Sequence, residues 1–316
     1  MPSFWQELLG GTVGGVVGMT VVYPLDTVKS RLQTSGRSRY SSIANVLTTM
    51  ARSEGTMSLY RGLLSPVVGY GAMFAISFSS YGHAGRFLLR RRGADEKDRL
   101  TLSEMGLAGA YAGVMNAPMR QAFERVKGVM QVRQGEKRKP PYSWSGACAV
   151  DLVRREGIAM GLFRGMGATM LREPIQFAIY YPVYEVAKGY LMPPNRARTS
   201  SSLPDPVLQM LAGGVAGCVH WLPPVYWLDV VKTRMQTAEP GVYHGVWDCY
   251  VKTVRAEGYP ILFRGVGAAM LRAFPMHGLV FVGYETTIGM LGASPRAAAA
   301  NSYTQTSASF SQQGLE

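Results

Sequence analysis

A ten-residue stretch that occurs three times constrains this chain more than any other feature of its sequence. The copies are spaced by about one hundred residues, and each carries an acid, a lysine three residues later and a glutamine four residues after the lysine. Each copy also closes a long segment rich in glycine and apolar residues. Repetition at this period predicts one body built from three similar units. The copies are Pro24–Gln33, Ala122–Gln131 and Trp227–Gln236.

The composition favours a membrane protein over an ordinary soluble domain. Of the 316 residues, 47% are hydrophobic and only 17% are charged, which is fewer charges than a soluble domain carries. Each repeat contains two apolar segments long enough to cross a bilayer, and three of these span about residues 4–22, 63–89 and 266–291. Buried helices of a soluble protein are the alternative, but six such segments leave too little amphipathic sequence to cover them. Six crossings place both termini on the same side.

Polar and Pro/Ser-rich stretches near residues 97 and 201 separate the repeats. Within a repeat, we predict a short helix between the two apolar helices, at about 42–52 in repeat 1 and 147–155 in repeat 2. The C-terminal tail is rich in Ala, Ser and Gln and has little to bury, so we predict that it is disordered. The resulting assignment is 1–97 for repeat 1, 98–200 for repeat 2, 201–292 for repeat 3 and 293–316 for the tail.

The charges and cysteines exclude several other classes of protein. The net charge of +13 would suit a nucleic-acid-binding protein, but the basic residues are scattered at segment ends and no recognition motif accompanies them. Basic loops beside anionic lipid headgroups explain the excess more simply. The three cysteines have no paired spacing, so neither a disulfide nor a zinc site is predicted. No phosphate loop, nucleophile motif or metal-binding helix motif appears, so we expect neither an enzyme nor a metal or other cofactor.

The repeated acid and lysine predict a gate. Residues three apart share one face of a helix, and a single such pair at the end of a membrane segment would reach for the lipid headgroups. Three pairs in matching repeats instead predict a ring around a threefold axis, in which the acid of one helix faces the lysine of the next. A ring of ion pairs that forms and breaks is a gate, and the glutamines would brace it. The predicted gate residues are Asp26, Lys29, Glu124, Lys127, Asp229 and Lys232, and the predicted braces are Gln33, Gln131 and Gln236.

The stretch Pro24–Gln33, followed by Glu54-Gly55 and Tyr60-Arg61-Gly62, resembles the motif of the mitochondrial carrier family. The resemblance covers all three repeats, from about residue 4 to residue 291. It implies a pseudo-threefold barrel of six transmembrane helices with short matrix-side helices, in the mitochondrial inner membrane. It also implies alternating access, and exchange or uniport of a small-molecule solute through a central cavity, with the ring as the matrix-side gate. We expect a monomer in a cardiolipin-rich membrane, with no nucleic acid as partner. The implied cardiolipin positions are Gly62, Gly165 and Gly265.

The chain departs from the family motif in repeats 2 and 3. The kink proline is replaced by Ala122 and Trp227, and the nearest prolines, Pro118 and the Pro223-Pro224 pair, lie about one turn earlier. We expect the prolines, including Pro24, to bend or interrupt their helices. In addition, Val129 stands where repeats 1 and 3 have an arginine.

A second, cytosolic-side gate is predicted to be weak. Carriers of this type often have an aromatic residue, an acid and a base after each even-numbered helix. Tyr184-Glu185-x-x-Lys188 is complete, Tyr284-Glu285 ends at Ile288 instead of a base, and Tyr81-Gly82 lacks the acid. The predicted residues of this gate are Glu185, Lys188 and Glu285.

Charges inside the apolar segments predict the substrate site. Aligning the three Arg-Gly dipeptides places Gly69-Tyr70, Arg172-Glu173 and Arg272-Ala273 at one depth. An unpaired charge there is costly, and transporters bind their substrates near the bilayer midplane. The alternative is a structural pair of Glu173 with Arg172 or with Arg272. Neighbours on a helix point about 100° apart, so we expect the Arg172–Glu173 pairing to be poor.

These side chains favour a zwitterionic substrate. Two arginines suit a carboxylate, Glu173 suits an amine or quaternary ammonium, and Tyr70 and Tyr23 could contact that cation. The resemblance is nearest to the carnitine/acylcarnitine and basic amino-acid carriers. Nucleotides and oxoacids are poorly served by an acid at this position. A carrier for another metabolite, such as S-adenosylmethionine, a nucleotide or an oxoacid, remains an alternative, as does a membrane scaffold that does not transport.

Overall fold

The computed structural model describes residues 4–36, 40–95, 98–132, 142–192, 205–222 and 225–292. Within these ranges the regular structure is helical and no strand occurs. The predicted tail lies outside the described residues, and so do residues 96–97 and 193–204 at the predicted repeat boundaries. The helices are α1 (Phe4–Thr34), α2 (Ile43–Ser53), α3 (Leu64–Arg92), α4 (Leu102–Val132), α5 (Ser145–Phe163), α6 (Met166–Leu191), α7 (Asp205–Val219), α8 (Tyr226–Thr237), α9 (Val246–Glu257) and α10 (Val266–Met290).

Six helical crossings, two from each repeat, form the predicted membrane fold. Three helical stretches are long and apolar enough to cross a membrane by themselves, namely Leu8–Thr34, Thr56–Arg92 and Tyr259–Met290. The other crossings are α4, α6 and the α7–α8 pair, and these carry charges that face the interior. Each crossing contacts the next one in the order α1, α3, α4, α6, α7 and α10. Helix α10 also contacts α1, so the crossings close into a barrel.

Glycines allow the crossings to approach each other closely. A β-carbon on Gly113 of α4 would lie 2.7 Å from the carbonyl carbon of Glu173 on α6, a distance at which the backbones would have to separate. Close approach of helices at small residues is the usual way in which membrane helices pack. The Gly-rich pattern at the start of each repeat thus sets the spacing of the barrel wall.

Prolines interrupt the crossings less than predicted. Helix α1 runs unbroken through Pro24, and α4 runs unbroken through Pro118. A single proline removes one backbone hydrogen bond, which neighbouring helices can compensate, so α1 and α4 are not interrupted at these prolines. A bend without interruption stays a prediction for both helices. In repeat 3 the helix ends at Val219 and begins again at Tyr226. Pro223 and Pro224, in this interval, lie outside the described residues.

The short helices cover one end of the barrel. Helix α2 begins one residue after its N-cap, Ser42, whose side chain accepts a hydrogen bond of 3.1 Å from the backbone nitrogen of Asn45. Its buried residues Val46 and Met50 pack against Val28 of α1. Helix α5 consists of two segments, because Gly157 interrupts it with a φ of 75°. The first segment, which begins at Ser145 and precedes Gly157, agrees with the short helix predicted at about 147–155.

Candidate substrate-binding site and gate

A central cavity of about 360 Å³ is lined by side chains from all three repeats. Its volume lies in the usual range for small-molecule sites. One end is formed by the repeated stretches of α1, α4 and α8, and the cavity extends away from them to Phe78, Tyr181 and Val280. We call the first end the charged end and the other the opposite end. The cavity wall also contains a buried polar pair, in which the amide of Asn116 donates a hydrogen bond of 2.8 Å to the hydroxyl of Ser77.

Three ion pairs join the repeats at the charged end. The ammonium of Lys29 lies 2.8 Å from Asp229 Oδ2, and that of Lys127 lies 2.7 Å from Asp26 Oδ2. The third pair joins Lys232 to Glu124. Each lysine therefore binds the acid of another repeat, and the pairs form a closed circle that we call the lysine–acid ring. All six residues of the ring line this end of the cavity.

The three glutamines bind different partners. Gln33 donates from Nε2 to Asp229 at 2.7 Å and to the hydroxyl of Tyr226 at 3.2 Å. Gln131 donates to the Thr27 hydroxyl at 3.0 Å and accepts from the Ser30 hydroxyl at 2.8 Å. Gln33 thus contacts an acid of the ring, whereas the bonds of Gln131 go to neutral side chains. Gln236 donates to the neutral side chain of Gln121 at 2.9 Å.

Arginines contact the ring acids from the cavity side. Arg272 Nη1 lies 2.9 Å from Asp26 Oδ1, and Arg172 pairs with Asp229. Arg120, which the sequence analysis did not select, lies 3.6 Å from Glu124 on its own helix. Each acid of the ring therefore has a lysine and an arginine as partners. We call Arg120, Arg172 and Arg272 the arginine layer.

Glu173 is fully buried and paired, in a way that corrects the sequence prediction. Its Oε1 accepts from Nη2 of the neighbouring Arg172 at 2.5 Å. Its Oε2 lies 3.0 Å from Nε of Arg120. Successive side chains do leave a helix in different directions, but the long arginine side chain bends back far enough to meet its neighbour. The expectation that this pairing would be poor is wrong.

The other residues predicted for the substrate site divide into two groups. Tyr70 lines the cavity and its ring lies near that of Phe74. Gly69 is buried beneath Phe123, and a β-carbon there would clash with that ring, so Gly69 does not contribute to the cavity wall. Tyr23 is also fully buried, and its hydroxyl donates to the carbonyl of Arg61 at 3.1 Å.

Trp221 is a cavity residue that the sequence analysis missed. It lies in the interval between α7 and α8. The ammonium of Lys29 is 3.8 Å from the centre of its ring, and the guanidinium carbons of Arg172 and Arg272 are 5.5 and 5.8 Å away. Cations over an indole face are attracted by its negative potential. Trp221 therefore holds part of the ring and part of the arginine layer together, and no spacing in the sequence indicates this.

A second set of ion pairs fixes the short helices to the barrel. Arg31 binds Glu54 with two bonds of 3.0 and 3.1 Å, and Arg234 pairs with Glu257 in the same place in repeat 3. In repeat 2, where the arginine is replaced by Val129, the fully buried Arg125 lies 3.2 Å from Glu156. The arginine has moved by four residues, which keeps it on the same helix face.

The three glycines predicted to bind cardiolipin share a conformation. Gly62, Gly165 and Gly265 have φ of 85°, 86° and 88°, a region that favours glycine. They lie before α3, α6 and α10. A β-carbon on Gly62 would also lie 3.2 Å from the carbonyl oxygen of Lys127 in the next repeat. These glycines are thus explained by backbone geometry and packing, and lipid binding stays a prediction.

The opposite end has a different chemistry. Glu185 and Lys188 are half-buried on α6, and neither forms an ion pair with any part of the chain that the structure describes. The side chain of Glu285 lies outside the described residues. The rings of Tyr81 on α3 and Tyr181 on α6 stack with their centres 4.1 Å apart. An aromatic contact thus lies here between two crossings.

Comparison with known protein families also divides the chain into three matching segments. A sequence model described as "Mitochondrial carrier protein" matches residues 1–92, 98–195 and 203–294. The chain belongs to the mitochondrial carrier family. Within the described ranges, no group of three His, Cys, Asp or Glu side chains is placed to hold a metal ion.

Several relatives of this carrier align over nearly their whole length. The mitochondrial carnitine/acylcarnitine carrier protein of Rattus norvegicus is 34% identical over 90% of this chain and 94% of its own. The mitochondrial arginine transporter BAC2 of Arabidopsis thaliana is 33% identical over 92% of each chain. Mitochondrial magnesium exporter 1 of Drosophila melanogaster is 34% identical over 91% of this chain and 95% of its own. The carrier is accordingly a multi-pass transport protein of the mitochondrial inner membrane that moves a small-molecule solute.

Proposed function

We propose that this carrier transports a zwitterionic metabolite, of the carnitine/acylcarnitine or basic amino-acid class, by alternating access. The lysine–acid ring supports this proposal most directly, because its ion pairs join all three repeats at one end of a cavity that reaches towards the other. The charged end is the matrix-side gate, and substrate enters from the cytosolic side through the opposite end. Residues Glu185, Lys188 and Glu285 contribute to a weaker gate there.

The arginine layer is the proposed site for the carboxylate of the substrate. Arg272 and Arg120 are the more accessible members, with 23% and 27% of their side chains exposed, compared with 4% for Arg172. A carboxylate that draws Arg120 and Arg172 towards the cavity leaves Glu173 without its partners. Glu173 then becomes available to the cationic group, with Tyr70 beside it. The names of the rat and Arabidopsis relatives favour such substrates.

Substrate binding is coupled to the gate through shared acids. Arg272 and Arg172 bind Asp26 and Asp229, which also hold the ring lysines. A substrate carboxylate competes with these acids for the arginines, so the ring cannot keep its present arrangement while substrate is bound. Differential binding of the substrate to the two states then offsets the cost of opening the ring.

Uptake into liposomes containing the purified protein tests the proposal. The liposomes are preloaded in turn with carnitine, lysine, arginine, S-adenosylmethionine, ATP or oxoglutarate. We expect saturable exchange of carnitine or an amino acid. Exchange of ATP or oxoglutarate alone would contradict the zwitterion assignment and keep the transport function. No transport by folded protein would favour a scaffold.

The role of Glu173 has its own test. Glu173→Gln keeps the size of the side chain and removes its charge, so transport of substrates with a cationic group should fall at least about tenfold, since buried charged hydrogen bonds contribute about 1.5–3 kcal/mol. Normal rates in this variant would contradict the proposed contact.

A bare divalent cation is disfavoured as cargo, because six basic side chains line the cavity against three acids, with the buried Glu173 behind Arg120 as a fourth.

We further propose that the carrier works as a monomer, and that cardiolipin binds at the helix starts after Gly62, Gly165 and Gly265. Backbone N–H groups at a helix start suit an anionic headgroup.

A further inference from the structure

We infer that Arg120 is a further substrate-binding residue, and that it makes the carrier prefer substrates of zero or negative net charge over cations. The inference rests on the proposed function and narrows the class of zwitterion. It follows from the place that Arg120 occupies in the threefold pattern, from its loose pairing and from the charge of the cavity.

Arg120 takes the place of an arginine that repeat 1 lacks. In repeats 2 and 3 the aligned positions carry Arg172 and Arg272, and each contacts an acid of the next crossing in the barrel. The aligned residue of repeat 1 is Gly69, and Phe123 covers the space where its side chain would be. Without Arg120, Glu124 would be the one acid of the ring without an arginine. Arg120 supplies this arginine, because it lies one turn before Glu124 on α4 and its guanidinium is 3.6 Å from the Glu124 carboxylate.

The present contacts of Arg120 leave it free to turn towards a substrate. Its Nε lies 3.0 Å from Glu173 Oε2, but neither atom makes a hydrogen bond, because the N–H does not point at the oxygen. Its distance to Glu124 is longer than a hydrogen bond. The side chain also lines the cavity and is more exposed than that of Arg172. A carboxylate in the cavity can therefore offer Arg120 better geometry than its present partners do.

Arg120 also decides the charge of the site. The basic residues outnumber the acids by two, and without Arg120 the surplus would be one. A cavity with a surplus of one sign attracts the opposite charge and repels its own. A net-neutral zwitterion can place its carboxylate on the arginine layer, whereas a net cation adds a third positive charge. The bases are Lys29, Lys127, Lys232, Arg120, Arg172 and Arg272, and the acids are Asp26, Glu124, Asp229 and Glu173.

Arginine and citrulline form a matched pair that tests this preference. They have nearly the same shape, and the side-chain charge of arginine is absent from citrulline. In proteoliposomes, we expect the wild-type carrier to take up citrulline at least about tenfold faster than arginine, since like charges brought together cost several kcal/mol. In Arg120→Gln the ratio should fall about tenfold, and the KM for citrulline should rise while thermal stability changes little.

Two variants control for structural effects. Arg120→Lys keeps the positive charge and should keep the preference for citrulline. Arg155→Gln removes an exposed arginine from α5, where its partner is Asp151 at 2.8 Å, and should leave both rates unchanged. A purely structural role for Arg120 would lower both rates equally and would not be rescued by lysine.

The outcomes separate this inference from the proposed function. Faster uptake of arginine, or an unchanged ratio in Arg120→Gln, overturns the inference and keeps a zwitterion carrier. Uptake of carnitine without either amino acid supports the neutral class. Choline, which lacks the carboxylate of carnitine, then replaces arginine as the net cation, and Arg120→Gln must raise its uptake relative to carnitine. No uptake of any zwitterion overturns both proposals.

Discussion

The two ends of the barrel are held by different kinds of contact. At the charged end, three lysines bind acids of other repeats, and arginines contact the same acids. At the opposite end, Glu185 and Lys188 form no ion pair in the described ranges, and Tyr81 stacks on Tyr181. The first kind of contact links all three repeats in a circle, whereas the second joins α3 and α6. With the ring as the proposed gate, the carrier rests with its charged end closed.

The difference also sets how each end responds to substrate. Ion pairs away from water are strong while complete, and removal of one partner leaves a costly buried charge. An aromatic contact contributes about 0.5–1.5 kcal/mol beyond its buried area and leaves no charge behind. Opening of the charged end therefore needs a substrate that rearranges the charges, whereas the opposite end can open and close without one.

The largest expected effect comes from breaking the ring at Asp229. This carboxylate binds Lys29, Arg172 and Gln33. Asp229→Asn leaves two buried cations without their acid, so we expect the free energy of unfolding to fall by about 3–5 kcal/mol and exchange to be lost. Chemical denaturation in detergent and exchange in liposomes measure the two effects.

The control for Asp229 is an acid outside the barrel. Asp248 pairs with Lys252 at 2.8 Å on the surface of α9, and Asp248→Asn should change neither quantity. Equal behaviour of the two variants would contradict a special role for the ring.

A smaller effect is expected from the glutamine that touches the ring. Gln33→Leu removes a hydrogen bond to a carboxylate, which should lower stability by about 1.5–3 kcal/mol. Gln131→Leu removes bonds to neutral hydroxyls and should lower stability by about 0.5–1.5 kcal/mol per bond. Gln33→Leu should also increase thiol labelling of the cavity from the charged side, and Gln131→Leu should do so less. Stronger labelling of Gln131→Leu than of Gln33→Leu would show that contact with the ring does not determine which glutamine stabilises the closed gate.

The smallest effect is expected at the opposite end. Tyr181→Leu removes the stack on Tyr81, so stability should fall by about 0.5–1.5 kcal/mol. Exchange should slow without being lost, because the ring stays intact. Tyr190→Leu is the control, since Tyr190 is 85% exposed on the same helix. A loss of exchange as large as in Asp229→Asn would contradict the difference between the two ends.

Repetition in the sequence predicted the features that the repeats share. The spacing of acid and lysine indicated which six residues meet at one end, and the apolar segments indicated the crossings. The short helix α2 was predicted within one residue at each end, because its N-cap and its apolar periodicity are local signals.

Features that break the repetition could not be predicted in the same way. Arg120 and Arg125 replace arginines that alignment places at Gly69 and Val129, and each acts from a neighbouring turn or helix. Alignment compares the corresponding positions of the three repeats. It therefore shows that an arginine is missing at Gly69 and at Val129, but it does not show which residue elsewhere takes its place. Trp221 lies where α7 gives way to α8, and its position depends on packing of the whole barrel.

Access to the cavity from each side tests the central claim most directly. The three native cysteines are replaced by alanine, and Met276, which lines the cavity one turn after Arg272, is changed to cysteine. A membrane-impermeant maleimide is then applied from either side of oriented proteoliposomes. Arg155→Cys on α5 serves as a marker of the charged side. We predict labelling of Met276→Cys only from the opposite side without substrate, and from both sides during exchange. Labelling from the charged side without substrate, or no change when substrate is added, would contradict a gate formed by the lysine–acid ring.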